Sequence, residues 1–181
     1  IVIDGLKISV TGEKEPQLIP WENYSTEVVI ESTGVFLRTE EIQKHLRGSV
    51  RKVVLAAPPK DETIPMFIIG VNEDKLGDEK IISNASCTTN CLAPVIKVME
   101  KNFGIKKALM STIHAYTSDQ ELLDGSHKDL RRARSAALNI VPTTTGAAKA
   151  VGKIIETVAG KFDGLAFRVP VAAGSLCDLT F

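Results

Sequence analysis

The sequence predicts an α/β protein, with a parallel, doubly wound sheet up to about Cys87 and a region of different texture after it. Two observations carry this. Short apolar runs alternate with a helical pattern as far as Ile81-Ile82, and that alternation implies parallel strands joined by crossovers. Beyond Cys87 a long strand pattern, a polar irregular stretch and a second helix pattern replace it. The domain division is placed there, giving segments 1–86 and 87–181.

The elements follow in order. Ile1-Val2-Ile3 and Leu6 to Val10 read as strands around Asp4-Gly5, a strong type I′ hairpin signal. Glu27 to Glu31 reads as a buried strand. Thr39 to Leu46 reads as a short helix with Thr39 at its N-cap. Lys52 to Leu55 is an apolar strand closed by Pro58-Pro59, and Phe67 to Gly70 and Ile81-Ile82 are two further short strands. An amphipathic helix runs through Leu92 to Glu100. Ala108 to His114 is a long strand, and Ser118 to Asn139 is polar and irregular. Ala147 to Ala159 is a helix stopped by Gly160, and Gly164 to Pro170 begins another strand.

With 22 basic and 22 acidic residues in 181, charge balances, so bulk electrostatics points to neither a nucleic-acid nor a membrane partner. No apolar run reaches the ~20 residues of a membrane helix. Three cysteines, two of them four apart at a helix start, fit a reducing compartment. The chain opens at Ile1, without methionine, inside a strand pattern. It reads as an internal fragment, expected to be inactive alone because its sequence contains no G-x-G-x-x-G.

Ser83 to Cys91 is the most informative stretch. It joins a strand end to a helix and puts Cys87 at the first helical turn, where unpaired N–H groups and the helix dipole favour negative charge. A thiolate is the nucleophilic form of cysteine, so Cys87 is a candidate nucleophile. His114, 27 residues on, could return to it and act as a base. Spacing alone favours the plainer account of a buried cysteine and a core histidine. Cys91, one turn on, reads as buried helix packing, and Cys177 as core. No paired cysteines or clustered histidines support a metal site.

Arg131, Arg132 and Arg134 are either a solvated charged face or an anion site, since guanidinium forks hold phosphate oxygens well. Thr143-Thr144-Thr145-Gly146 opens a helix and is either an N-cap or a phosphate cradle. Arg168 interrupts an apolar strand, and a buried charge requires a partner.

Ala85-Ser86-Cys87-Thr88-Thr89-Asn90-Cys91 resembles the active-site segment of the phosphorylating glyceraldehyde-3-phosphate dehydrogenase family. The likeness continues through Ser111 to Thr117, Asp129 to Arg134, Pro142 to Val151 and Phe167 to Pro170, in the family's order. It implies that segment 1–86 is part of an NAD(P)-binding Rossmann-like domain and 87–181 part of an α+β catalytic domain. It implies Cys87 as nucleophile and His114 as general base. Thr117 and Arg168 then hold the substrate's phosphate, and Ser86, Arg132, Thr145 and Gly146 hold the attacking inorganic phosphate. Thr33, Gly34, Ser118 and Ser126 are the implied cofactor contacts. Ala56 and Ser118 depart from the serine and asparagine that many members carry. Gly125-Ser126 stands where members restricted to NAD commonly carry Leu-Pro, and members accepting NADP carry small residues.

The resemblance therefore implies oxidation of D-glyceraldehyde 3-phosphate to 1,3-bisphosphoglycerate with NAD, NADP being possible. The full-length protein would be a cytoplasmic homotetramer, with a plastid location left open. The rivals are an erythrose-4-phosphate dehydrogenase of the same superfamily, a cofactor-free cysteine hydrolase using Cys87 and His114, and a non-catalytic interaction protein.

Overall fold

A computed structural model describes all 181 residues. They form two compact units, one of Ile1–Met66 with Leu76–Asn84 and one of Phe67–Lys75 with Ala85–Phe181.

In the first unit β1 (Val2–Ile3) and β2 (Leu6–Lys7) pair antiparallel. Asp4 and Gly5 between them both have positive φ, 48° and 79°, as a type I′ turn requires. The main sheet is β3 (Val28–Glu31), β4 (Lys52–Leu55) and β5 (Ile81–Ser83), in that spatial order and all parallel. The parallel arrangement agrees with the alternating pattern of the sequence. Val29, Val53 and Leu55 point into a core with Ile42, Val50 and Ile64.

Two expectations need correction here. β3 is buried on one face only: Val28 and Ile30 are 54% and 68% exposed. A strand alternates its side chains, and within this unit only one row meets the core. Thr39 is the first residue of α1 (Thr39–Ile42), not its cap. The cap is Arg38, and the Glu41 carboxylate accepts the N–H groups of Leu37 and Arg38, each at 3.0 Å. The Thr39 hydroxyl is engaged with Asp61 and Thr63 instead. The helix then tightens into a 3-10 turn, Gln43–His45.

In the second unit, Phe67 to Gly70 is a turn rather than a strand. Asn72 Oδ1 accepts the Ile68 N–H at 2.9 Å, taking a donor that a strand would offer to its neighbour. The turn is tied to the long helix α2 (Cys87–Phe103), whose Lys97 ammonium donates to the Gly70 and Val71 carbonyls at 2.9 and 2.8 Å. α2 turns Thr89, Leu92, Ala93 and Ile96 inward, the i, i+3, i+4, i+7 stripe of an amphipathic helix. Leu92 and Ile96 are 2% and 0% exposed. Full burial of such side chains stabilises by about 1.5–3 kcal/mol each.

A mixed sheet has the order β7 (Val141–Thr144), β8 (Phe162–Val169), β6 (Ala108–Ala115), β9 (Ser175–Thr180). β6 and β8 are parallel, and the two outer strands run antiparallel to their neighbours. Helix α3 (Ala147–Ile154) packs against α2 and β8. It stops five residues before the sequence pattern, because Ile155 leaves helical geometry (φ −117°, ψ 88°) and a 3-10 turn, Glu156–Val158, follows. The chain folds back so closely that a Cβ on Gly152 would lie 3.3 Å from the Ala159 Cα. Thr143 and Thr144 belong to β7, so only Thr145 and Gly146 stand at the start of α3. No helix is long and apolar enough to cross a membrane.

Candidate active site

Cys87 is the first residue of α2, and Ser86 caps it. The Ser86 hydroxyl accepts the Thr89 N–H at 3.1 Å and lies 2.7 Å from the Thr89 hydroxyl. The N–H groups of Cys87 and Thr88 have no intrahelical acceptor by geometry, which leaves an electropositive rim around the exposed thiol. Ala85, just before the cap, is buried and has φ +56°, a conformation costing a non-glycine residue roughly 1–2 kcal/mol. Alanine gives no sequence signal of such strain, so this feature escaped the sequence reading.

His114 lies near the end of β6, and its Nε2 is 3.5 Å from Cys87 Sγ. Its Nδ1 lies 2.7 Å from the Ala115 carbonyl oxygen. A carbonyl only accepts, so Nδ1 carries the proton and Nε2 turns its lone pair to the thiol. The register pairs His114 with Arg168 on β8. Arg168 Nη1 donates to the Thr117 hydroxyl at 3.0 Å and reaches the Ala115 carbonyl at 3.4 Å. Its Nε is buried without a partner. Burial, then the positive charge of Arg132, pushes the Arg168 guanidinium below its ordinary value, and the Cys87 sulfur opposes them. Cys87, His114, Thr117 and Arg168 thus converge, with Arg132 within electrostatic reach.

The arginine cluster divides. Arg131 pairs with Asp129, and Arg134 with Asp124. Arg132 is wedged between Asp119 and Asp129 and donates to the Thr143 hydroxyl at 2.9 Å. Its threonine partner is therefore Thr143 on β7. Thr145 Oγ1 accepts the Ala147 N–H at 3.2 Å, and Gly146 caps α3. Asp119 carried no signal in the sequence, because an acidic residue in a polar loop is unremarkable until its partner is placed. Ser118 and Ser126 are both exposed in the 118–139 segment.

Cys91 is exposed, not buried as expected. It lies one turn from Cys87 on the same helix face, and that face is open. Cys177, on β9, is half-buried rather than fully in the core. Burial raises its thiol above the ordinary value, and neighbouring Cys91 and Cys87 add to this. No group of histidine, cysteine and acidic side chains is placed to hold a metal ion.

In the first unit, Thr33 and Gly34 follow the carboxyl end of β3, where ligands bind in open α/β sheets. Gly34 has φ +74°, and a Cβ built on it would meet nothing within 4 Å.

The family model for the glyceraldehyde 3-phosphate dehydrogenase C-terminal domain matches residues 86–181. The chain belongs to the glyceraldehyde-3-phosphate dehydrogenase family. It is 54% identical over 181 residues to the Streptomyces coelicolor glyceraldehyde-3-phosphate dehydrogenase, covering 99% of this chain and 54% of that protein. Glyceraldehyde-3-phosphate dehydrogenase 1 of Kluyveromyces lactis gives the same identity and coverage. The chloroplastic glyceraldehyde-3-phosphate dehydrogenase A of Chlamydomonas reinhardtii is 53% identical over 180 residues, 99% of this chain and 48% of the relative. The chain thus spans about half the length of these relatives.

Proposed function

We propose that the full-length protein oxidises and phosphorylates D-glyceraldehyde 3-phosphate to 1,3-bisphosphoglycerate through a thioester on Cys87. The observation that carries this is the 3.5 Å approach of His114 Nε2 to Cys87 Sγ beside an arginine with a spare buried donor. Arg168 and Thr117 hold the phosphate of the aldehyde. His114 Nε2 takes the thiol proton, the Cys87 sulfur bonds to the aldehyde carbon as the C=O π bond opens to an oxyanion, and the imidazolium returns that proton to the oxygen to give a hemithioacetal. The first-turn N–H groups of α2 stabilise the oxyanion. A nicotinamide dinucleotide supplies the hydride acceptor when bound. His114 removes the hydroxyl proton as the C–H hydride departs, leaving the thioester. Arg132, with Ser86, Thr145 and Gly146, holds inorganic phosphate, whose oxygen attacks the acyl carbon. The C–S bond breaks, and the thiolate returns. The covalent intermediate divides one hard step into two easier ones.

Residues 1–86 are proposed to belong to the NAD(P)-binding domain, with Thr33, Gly34, Ser118 and Ser126 as cofactor contacts, and 87–181 to the catalytic domain. The exposed apolar side chains Leu122, Leu123, Leu130, Leu138 and Ile140 support assembly as a homotetramer. A cytoplasmic location is proposed, with a plastid as the alternative because one relative is chloroplastic.

The test is NADH formation by the full-length protein from glyceraldehyde 3-phosphate, NAD and phosphate, with acyl-enzyme trapped at Cys87 when phosphate is withheld. Acid release without cofactor would instead make it a hydrolase. Higher catalytic efficiency on erythrose 4-phosphate would move it to that branch of the superfamily.

A further inference from the structure

Glu31 and His45 form a buried pair that no step above uses. Glu31 ends β3, His45 ends the 3-10 turn after α1, and each is 3% exposed. His45 Nε2 lies 3.1 Å from Glu31 Oε2. A carboxylate only accepts, so Nε2 donates. The other oxygen, Glu31 Oε1, accepts the Thr33 N–H at 2.8 Å and the Thr33 hydroxyl at 2.5 Å. The Thr33 hydroxyl in turn accepts the Val35 N–H at 3.1 Å, closing the turn around Gly34 at φ +74°. The Trp21 ring stands against His45, with centroids 5.8 Å apart and planes tilted by 49°.

A carboxylate out of water is costly unless paired and hydrogen-bonded. For stability alone, an apolar pair of similar volume would serve as well. This carboxylate instead spends one oxygen on a single exposed residue, Thr33, at the carboxyl end of a parallel strand, and the imidazole fixes the other oxygen. The arrangement determines the shape of an exposed turn from a buried anchor.

We propose that Glu31 and His45 are positioning residues that hold the Thr33-Gly34 turn in the shape that receives the dinucleotide. This rests on the reading of Thr33 and Gly34 as cofactor contacts given above. Neither side chain touches the cofactor, and both act through Thr33.

The test uses the full-length protein, with His45→Ala and Glu31→Gln compared against wild type. The dissociation constant and KM for NAD should rise roughly tenfold, the scale of a lost hydrogen bond to a charged group. The kcat and the KM for the aldehyde should stay within about twofold, the signature of lost binding common to ground and transition states. The double variant should be no worse than the weaker single one, because both act on one turn. A lowered melting temperature with an unchanged KM for NAD would overturn the proposal, as would a fall in kcat with equal losses on both substrates. If His45→Ala does not fold, the nearly isosteric Glu31→Gln gives the same readout. A wild type that neither binds NAD nor oxidises the aldehyde would overturn the functional reading and this proposal together. An active wild type with variants indifferent to NAD overturns this proposal alone.

Discussion

Cys87 Sγ stands 3.5 Å from His114 Nε2, and the imidazole is aimed from behind by the Ala115 carbonyl at 2.7 Å. The first residue of α2 and the penultimate residue of β6 meet because the strand runs back towards the helix start. The sulfur therefore has a helix N-terminus on one side and a proton acceptor on the other.

Brief treatment of the full-length protein with iodoacetamide should modify Cys87 well before Cys91 or Cys177. Cys91 is also exposed, so access does not discriminate between them. The imidazole and the unpaired N–H groups do, because the thiolate is the reactive form. Mass mapping of the labelled peptides checks this, and equal labelling of Cys91 would remove the assignment. His114→Asn should slow both alkylation and acyl-enzyme formation by about a hundredfold or more, within the range of general base catalysis.

The parallel strands β3, β4 and β5, the strands β6 and β8 and the position of Cys87 were legible because each depends on local pattern: apolar runs, caps and turn residues; β7 was not, because Thr143 and Thr144 read as the opening of a helix. The pairing of Arg132 with Asp119 was not, since it depends on how the 118–139 segment folds back on itself. The exposure of Cys91 was in principle readable. A residue one turn from a nucleophile shares its face, and the nucleophile's face must be open. The Phe67 to Gly70 turn misled because its apolar residues suit a strand, while Asn72, outside the run, decides the conformation. Arg168 was the clearest tertiary signal, a charge within an apolar strand.

Asp61 ties two threonines together, accepting the Thr39 N–H at 2.7 Å and the Thr63 hydroxyl at 2.6 Å. These bonds, the Thr63 hydroxyl foremost, hold its carboxyl below the ordinary aspartate value. A lowered folded-state pKa contributes stability above the unfolded pKa, and that stability is lost as pH falls through the folded one. Stability should therefore drop as pH goes below about 4. Asp61→Asn should be less stable at neutral pH and show a shallower acid dependence. Urea unfolding from neutral pH to below pH 4 gives both slopes, and parallel curves would show that Asp61 does not contribute.

Ser126 is exposed beside Gly125, whose N–H is held by the Ala133 carbonyl at 3.0 Å. A small residue leaves room for a 2′-phosphate, and a serine hydroxyl can donate to it. The full-length protein should use both NAD and NADP, and Gly125→Leu with Ser126→Pro should shift it towards NAD. The ratio of catalytic efficiencies decides. A wild-type preference for NAD beyond roughly a thousandfold, about 4 kcal/mol, would count against the reading.

Arg168 holds Thr117 with one nitrogen while its Nε is buried and unpartnered. A buried donor left unpaired is costly, and a phosphate oxygen is the acceptor that such a fork receives best. Arg168→Ala should thus weaken use of glyceraldehyde 3-phosphate far more than use of unphosphorylated glyceraldehyde. A hydrogen bond to a charged group contributes roughly 1.5–3 kcal/mol, so the ratio of the two efficiencies should fall at least about tenfold. Arg168→Lys should recover only part of this, because an ammonium keeps the charge and loses the planar fork. The unphosphorylated aldehyde also serves as the control for His114, which the Arg168 side chain contacts at 3.3 Å. If removing Arg168 merely let the imidazole drift from Cys87, both substrates would suffer alike, and Arg168 would be a support for the histidine rather than a phosphate ligand.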